Sequence, residues 1–321
     1  MDLFTSIRAL DSFGALVRLS VITPVFNGEK YIKSTINSVL NAIGNSDIEY
    51  IVIDDGSTDR TSEILQLYST KIKIITQENR GESSAVNTGF NSASGDFVLV
   101  VSADDPLLSE AIFVGVIEFF DNNPEVVVWY PNWNLIDHEG KLIRTVRVDE
   151  YSEDKLIGRF ICMPGPGAFI RKSAALQIGG RDKKWKYVGD YDFWLRISRI
   201  GQLRKRPELL AQWRFHDESA SIAKRGLEMY AERIDVIEQF IVQFKIEGDL
   251  ARMARAHSLY YAARLAFFSS EINGRKTIIR ALRTRRGWIE DSNIGAIIYL
   301  ITAPVSSLIK PMIKLFLRDS R

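Results

Sequence analysis

FVLVVSADDP, residues 97–106, is the stretch on which the fold turns. Phe97 to Val101 form a short unbroken apolar run rich in valine. Such a run fits a strand buried on both faces of a parallel sheet. Ser102 and Ala103 lead out of it into two adjacent acids, Asp104 and Asp105, and Pro106 ends the segment. In open α/β sheets, ligands bind at the carboxyl ends of the strands. Two carboxylates at that edge suit a divalent cation, because hard ions such as Mg2+ and Mn2+ prefer oxygen ligands. The same residues also fit a plainer arrangement, with one Asp capping the next helix and the other facing water.

The flanking sequence alternates in the way such a sheet requires. LSVITPVF (19–26), EYIVIDD (49–55), KIKIIT (71–76), the 97–105 run and VVVWYP (126–131) read as strands. EKYIKSTINSVLNAI (29–43), TDRTSEILQLY (58–68, opening on a Thr cap), GESSAVNTGFNSAS (81–94) and LLSEAIFVGVIEFF (107–120) read as helices between them. Four βα units in succession predict a doubly wound, mainly parallel sheet flanked by helices, an α/β fold. Irregular chain with PGPG at 164–167 follows. Then come a helix over GDYDFWLRISRI (189–200) and a strand within LRKRPELLAQWRF (203–215). From about 224 the pattern becomes helical and basic. The expected organisation is an N-terminal segment (1–17), an α/β domain (18–223) and a helical C-terminal extension (224–321).

Composition narrows the classes. At 46% hydrophobic and 26% charged, the 321 residues describe a folded globular chain. The single cysteine, Cys162, excludes an internal disulfide and a cysteine-built zinc site. Three histidines, His138, His216 and His257, exclude a histidine-rich metal centre. The first twenty residues lack a basic start, a long apolar core and a cleavage site, so they are not read as a secretion signal. Lys and Arg number 25 against 30 acids in residues 1–223, but 17 against 10 in residues 224–321. The 18-residue stretch SNIGAIIYLITAPVSSLI, between Asp291 and Lys310, carries no charge. With arginines before it and lysines after it, a helix lying in anionic headgroups fits, and so does a buried core helix with a solvated basic face. The expected location is cytoplasmic, peripheral on the inner face of the cell membrane. No Walker A loop or nucleic-acid motif is present, and PGPG lacks the third glycine of a dinucleotide fingerprint. Nucleic acid is not an expected partner.

A second acidic cluster, IDDGSTD (53–59), repeats the logic of the first: Asp54 and Asp55 leave an apolar strand, and Gly56 permits close backbone approach. A turn followed by a helix cap would use the same residue types. Taken in order, ITPVFNGEKYIKSTINSVL, VIDDGSTDRT, ENRGESSAVNTGF and ASGDFVLVVSADD resemble the nucleotide-binding half of the GT-A glycosyltransferases of family 2. The resemblance covers about residues 18–220. PGPGAFIRKSAALQIGGRD, GDYDFWLRIS and WRFHDESAS resemble that family's acceptor-side, acidic-helix and late-histidine segments.

The resemblance implies an inverting transferase that moves a sugar from a nucleoside diphosphate, foremost UDP, to a glycan or polyprenyl-linked hydroxyl in surface polysaccharide or glycolipid synthesis. Peripheral membrane contact is implied by the basic tail. Thr23, Pro24, Asn27 and Glu29 fall in the first nucleotide loop. Asp54 and Asp55 match acids that meet base and ribose, and Arg80 and Asp104 match the nucleotide cleft. Asp104, Asp105 and His216 match ligands of Mn2+ or Mg2+, and Asp190 matches the general base. Ser102 stands where the family often has Asp. Without the resemblance, Asp190 and Asp192 read simply as acids favoured by a helix N-terminus. A sugar nucleotidyltransferase is a competing reading, but ITPVFNGEK lacks the glycine-rich basic loop that chemistry uses. A membrane-associated scaffold that keeps this fold without turnover is another.

Overall fold

Every residue of β1 (Leu19–Val25) is buried, and the reason lies in its two-sided apolar pattern. Val21 and Val25 join one apolar cluster with Ile32, Ile36 and Val39 of α1 (Ile32–Ile43). Ile22, pointing the opposite way, meets Gly89 of α3 (Glu82–Ser92). A strand covered on both faces belongs at the centre of a doubly wound sheet.

The computed structural model describes residues 17–216 and 226–269. They form two units, 17–152 with 162–216, and 153–161 with 226–269. In the first unit β1 pairs in parallel with β2 (Ile48–Asp54) and β4 (Phe97–Val100), and β2 pairs in parallel with β3 (Lys73–Thr76). The sheet continues through β5 (Val126–Ile136), β6 (Leu142–Val146), β7 (Phe169–Arg171) and β8 (Gln202–Arg214), in the order β3-β2-β1-β4-β7-β5-β6, with β8 also paired to β5. β7 runs antiparallel to both β4 and β5, so β5 returns to the direction of β4, and β8 lies parallel to β5. β1, β2, β4 and β8 therefore all end at one edge.

The sheet is mainly parallel, as expected, with β6 and β7 running antiparallel within it. Two local expectations change. The helix expected over 107–120 is broken into a 3₁₀ turn (Glu110–Phe113) and α4 (Val116–Asn122). Gly115 lies between them at φ 71°, a left-handed conformation that no continuing α-helix can hold. α2 (Thr61–Gln66) does not open on a Thr58 cap: Thr58 Oγ1 donates to Asn27 Oδ1, and the Thr61 N–H donates to Asp59 Oδ1.

α3 approaches β1 so closely that a Cβ on Gly89 would stand 2.3 Å from Ile22 Cγ2. That methyl sits on a β-branched carbon of a buried strand and has little room to swing. Gly89→Ala gains about 1 kcal/mol of helix propensity but incurs about 1–3 kcal/mol of overpacking. We expect a net loss of up to about 2 kcal/mol, because the 2.3 Å approach places the cost at the upper end, read as a lower Tm in thermal unfolding. An unchanged or raised Tm would contradict this packing.

In the second unit, α7 (Gly226–Phe244) and α8 (Gly248–Ser269) pack together, with Val236, Ile237, Phe240 and Ile241 facing inward from α7. Arg255 pairs with Glu238 at 2.9 Å. A π-turn (Asp154–Gly158) belongs to the same unit: a Cβ on Gly158 would meet Met253 Cε at 2.7 Å. Residues 153–161, read from the sequence as part of the α/β domain, thus group with these helices. Among the described residues no helix is long and apolar enough to cross a membrane. The 1–16 segment, most of HDESAS (216–221) and the uncharged 292–309 stretch lie outside the described residues.

Candidate active site

The site forms where β1, β2, β4 and β8 end. The loop after β1 is bolted to the loop after β2. Asn27, at φ 51°, accepts from the Thr58 N–H at 2.7 Å through Oδ1, and its own N–H donates to Ser57 Oγ. Glu29 Oε2 accepts from the Arg60 N–H at 3.0 Å, and the Gly28 N–H donates to Thr61 Oγ1. Thr23 is wholly buried and pairs with the Tyr50 hydroxyl, and Pro24 is buried within β1. Asn27 and Glu29, expected in the first nucleotide loop, hold that loop in shape through these bonds. Phe26, between them and the strand, is 48% exposed, an unusual fate for a phenylalanine at a sheet edge. The sequence reading passed over it.

Asp54 and Asp55 are both 1% exposed, and protein donors occupy both carboxylates. Asp54 accepts from the Ser57 N–H and the Ser62 hydroxyl. Asp55 accepts from Gln77 Nε2 at 2.6 Å and from the N–H groups of Arg80 and Gly81 at 3.0 and 2.8 Å. Thr88 in turn donates to Gln77 Oε1 at 2.6 Å and fixes that amide. Asp55 therefore shapes the 77–81 loop, from which the Arg80 side chain extends, exposed. Gly56 is required where it stands: at φ 75°, a Cβ there would be 2.9 Å from the Asn79 backbone nitrogen.

The adjacent acids of the opening stretch separate. Asp104 turns outward, with its side chain 30% exposed, and Oδ2 lies 2.8 Å from His216 Nε2. Asp105 turns inward, 6% exposed, and accepts from the Arg214 N–H at 2.7 Å and from the Ser102 hydroxyl. Burial, followed by the charge of Asp104, pushes the Asp105 carboxyl well above the usual carboxylate range. The three expected metal ligands are thus not brought together; Asp104 and His216 are. Among the described residues no group of three or more His, Cys, Asp or Glu is placed to hold a metal. The outward carboxylate of Asp104 is an oxygen ligand of the kind Mn2+ and Mg2+ take, while the His216 imidazole adds a nitrogen that Mn2+ accepts more readily than Mg2+. Adjacent ligands of a small octahedral ion lie about 3 Å apart, close to the separation already present here.

Two further residues complete this corner. Arg214, at the end of β8, is 5% exposed; Nε donates to the Asp104 carbonyl at 2.9 Å and Nη1 to those of Asp137 and His138 at 3.1 Å. Its guanidinium lies 4.8 Å from the Tyr31 ring, whose centroid is 5.0 Å from that of His216. Neither residue was singled out in the sequence, although a lone arginine in the apolar run LLAQWRF was a visible signal. His138 contributes its carbonyl and is otherwise exposed in a turn, while His257 is buried in α8.

On the other face, α6 (Gly189–Ile197) begins against the first turn of α3: a Cβ on Gly189 would stand 2.7 Å from Ser83 Oγ. Gly81, just before that turn, is held by Asp55, so the start of α6 belongs to the same edge. The acids of GDYD then divide. Asp190 is exposed in the first turn of α6. Asp192 is buried and accepts from Arg196 Nη2 at 2.6 Å, while Arg196 also donates to the carbonyls of Ile178 and Gly180. Asp192 anchors the glycine turn ahead of RDKKWK; Asp190 is left facing outward. Trp185 and Trp194 are buried, and Trp213 packs edge-on to Trp133 at 5.9 Å.

Comparison with known proteins agrees with this architecture. Residues 20–178 match the family model described as glycosyl transferase family 2. An uncharacterised glycosyltransferase of Rickettsia typhi is 33% identical over 221 residues, 66% of this chain and 69% of that protein. A chondroitin synthase of Escherichia coli is 31% identical over 214 residues, 65% of this chain, and the chain spans only 31% of that enzyme's length. The fold is that of S. aureus TarS residues 1–349 in complex with UDP-GlcNAc, at TM-score 0.60 and 20% identity over 93% of this chain and 86% of that one. It is also that of the mannosyltransferase PcManGT from Pyrobaculum calidifontis, in complex with GDP-Man and Mn2+, at TM-score 0.56 and 15% identity over 94% and 83%. With its GT-A fold and these relatives, the chain is a transferase that belongs to glycosyltransferase family 2.

Proposed function

We propose that the protein transfers a sugar from a nucleoside-diphosphate donor to a hydroxyl of a glycan or lipid-linked acceptor, with inversion at the anomeric carbon. The observation that carries this reading is the convergence of Asp104 and His216, from two strand ends, at 2.8 Å beside the nucleotide loops. Asp104 and His216 would hold Mn2+ or Mg2+, and such an ion supplies charge neutralisation for a diphosphate leaving group. Phe26 is half exposed and follows Val25, whose carbonyl accepts from the Asp55 N–H, so it offers a surface on which a nucleobase can stack. Arg80 adds positive charge to the same cleft.

Asp190 acts as the base. Its exposed carboxylate sits in the first turn of α6, where the helix dipole favours the ionised form. It takes the proton from the acceptor hydroxyl as that oxygen attacks. A single displacement with one base inverts the reacting carbon. Asp192 cannot share the task, because its carboxylate is committed to Arg196. The solved neighbours whose complexes hold UDP-GlcNAc and GDP-Man with Mn2+ support the donor class. The relatives named as chondroitin and hyaluronan synthases support polysaccharide synthesis as the setting. Calorimetric titration with UDP, GDP and dTDP tests the donor: one of the three is expected to bind, UDP foremost. Failure of all three would contradict the reading.

A further inference from the structure

The end of β8 poses a problem of cost. Leu209, Leu210, Ala211 and Trp213 make an apolar approach to a guanidinium that is almost fully enclosed. Burying a cation is expensive unless its donors are satisfied, and Arg214 spends them on the turn that carries the two acids. Its side chain grips the carbonyl of Asp104, its backbone N–H grips the carboxylate of Asp105, and Nη1 ties both to the carbonyls at 137 and 138. Two residues further on the chain reaches His216, and Tyr31 fills the space between the guanidinium and that ring. One residue thereby braces the turn that carries Asp104 and stands two residues before His216.

We infer that Arg214 is a positioning residue that presets Asp104 and His216 at ligand spacing before a cation arrives. The inference rests on the cation reading proposed above. Three carbonyls are reached from one planar fork, which the point charge of a lysine does not reproduce. The Tyr31 hydroxyl is buried and makes no hydrogen bond among the described residues, so its contribution there is the ring. Arg206 supplies the internal comparison. It lies on the same strand, is 3% exposed, donates to the Ile112 carbonyl and covers the Trp129 ring at 4.1 Å, with none of these bonds reaching the acids.

The test is Mn2+ binding, followed by the electron paramagnetic resonance of free Mn2+, in the full-length wild type and in Arg214→Lys, Arg206→Lys, Tyr31→Phe and Tyr31→Leu. Partners that orient metal ligands typically change affinity by 10–100-fold. Arg214→Lys is expected to weaken Mn2+ by roughly that factor. Arg206→Lys is expected to lower Tm comparably and leave Mn2+ affinity as in wild type. Tyr31→Phe should bind as wild type and Tyr31→Leu more weakly; this second pair carries the test if Arg214→Lys does not fold. Wild-type Mn2+ affinity in Arg214→Lys, or equal weakening in Arg206→Lys, overturns the positioning role alone. Absence of Mn2+ binding by the wild type overturns the cation reading and this inference with it.

Discussion

Asp190→Asn is expected to slow sugar transfer by roughly 10²–10⁴-fold while leaving nucleotide affinity within about twofold of wild type. The split follows from what the carboxylate does. A base interacts with the acceptor proton only as the new bond forms, so its removal raises the barrier, by about 3–5 kcal/mol, without touching the bound donor. Asparagine keeps the size of the side chain and can still accept from the Tyr191 N–H through Oδ1. The side chain is exposed and the substitution isosteric, so Tm should stay near that of wild type. Steady-state transfer kinetics and a nucleotide titration on the same preparation check both halves. Normal turnover in this variant would remove Asp190 from the mechanism. Equal losses of turnover and nucleotide binding would make it a binding residue instead.

Asp104→Ala is expected to abolish the Mn2+ dependence of nucleotide binding and to lower kcat/KM by several kcal/mol of barrier, roughly 10³-fold. The side chain is partly exposed and its carboxylate pairs with His216 at the surface of the turn, so little stability depends on it. The Asp104 carbonyl remains available to Arg214. The His216 imidazole, a nitrogen ligand, is too weak to hold a hard cation without the carboxylate. Asp105→Ala should behave differently. It removes the acceptor of the buried Arg214 N–H and is expected to appear first as a loss of stability. Comparing Tm and Mn2+-dependent nucleotide affinity for the two variants separates the outward acid from the inward one.

That contrast shows how far the sequence could be read. The strand ends carrying Asp54, Asp55, Asp104 and Asp105 were legible because each closes a short β-branched apolar run that alternates with a helical segment. β1, β2 and β4 stand within a few residues of their expected positions. The three-residue β7 left no periodic signal, and its antiparallel insertion depends on pairing Phe97 with Arg171, 74 residues apart in the chain. Local pattern does not encode such a pairing. The break at Gly115 was hidden because the apolar run LLSEAIFVGVIEFF continues through it on both sides. At the site, residue type indicated the acids but not their directions. Asp104 and Asp105 are adjacent and identical, and only the position of the Arg214 N–H decides which one turns inward. Asp190 and Asp192 pose the same ambiguity, resolved by Arg196 one helical turn beyond Asp192.

A nucleoside diphosphate and a divalent cation are proposed to meet at the carboxyl edge of the sheet. The most direct test is calorimetric titration of UDP into the wild-type protein, once with Mn2+ and once with EDTA. The prediction is binding with Mn2+ and a loss of affinity of at least an order of magnitude in EDTA. Equal affinity in the two titrations would contradict a cation at Asp104 and His216.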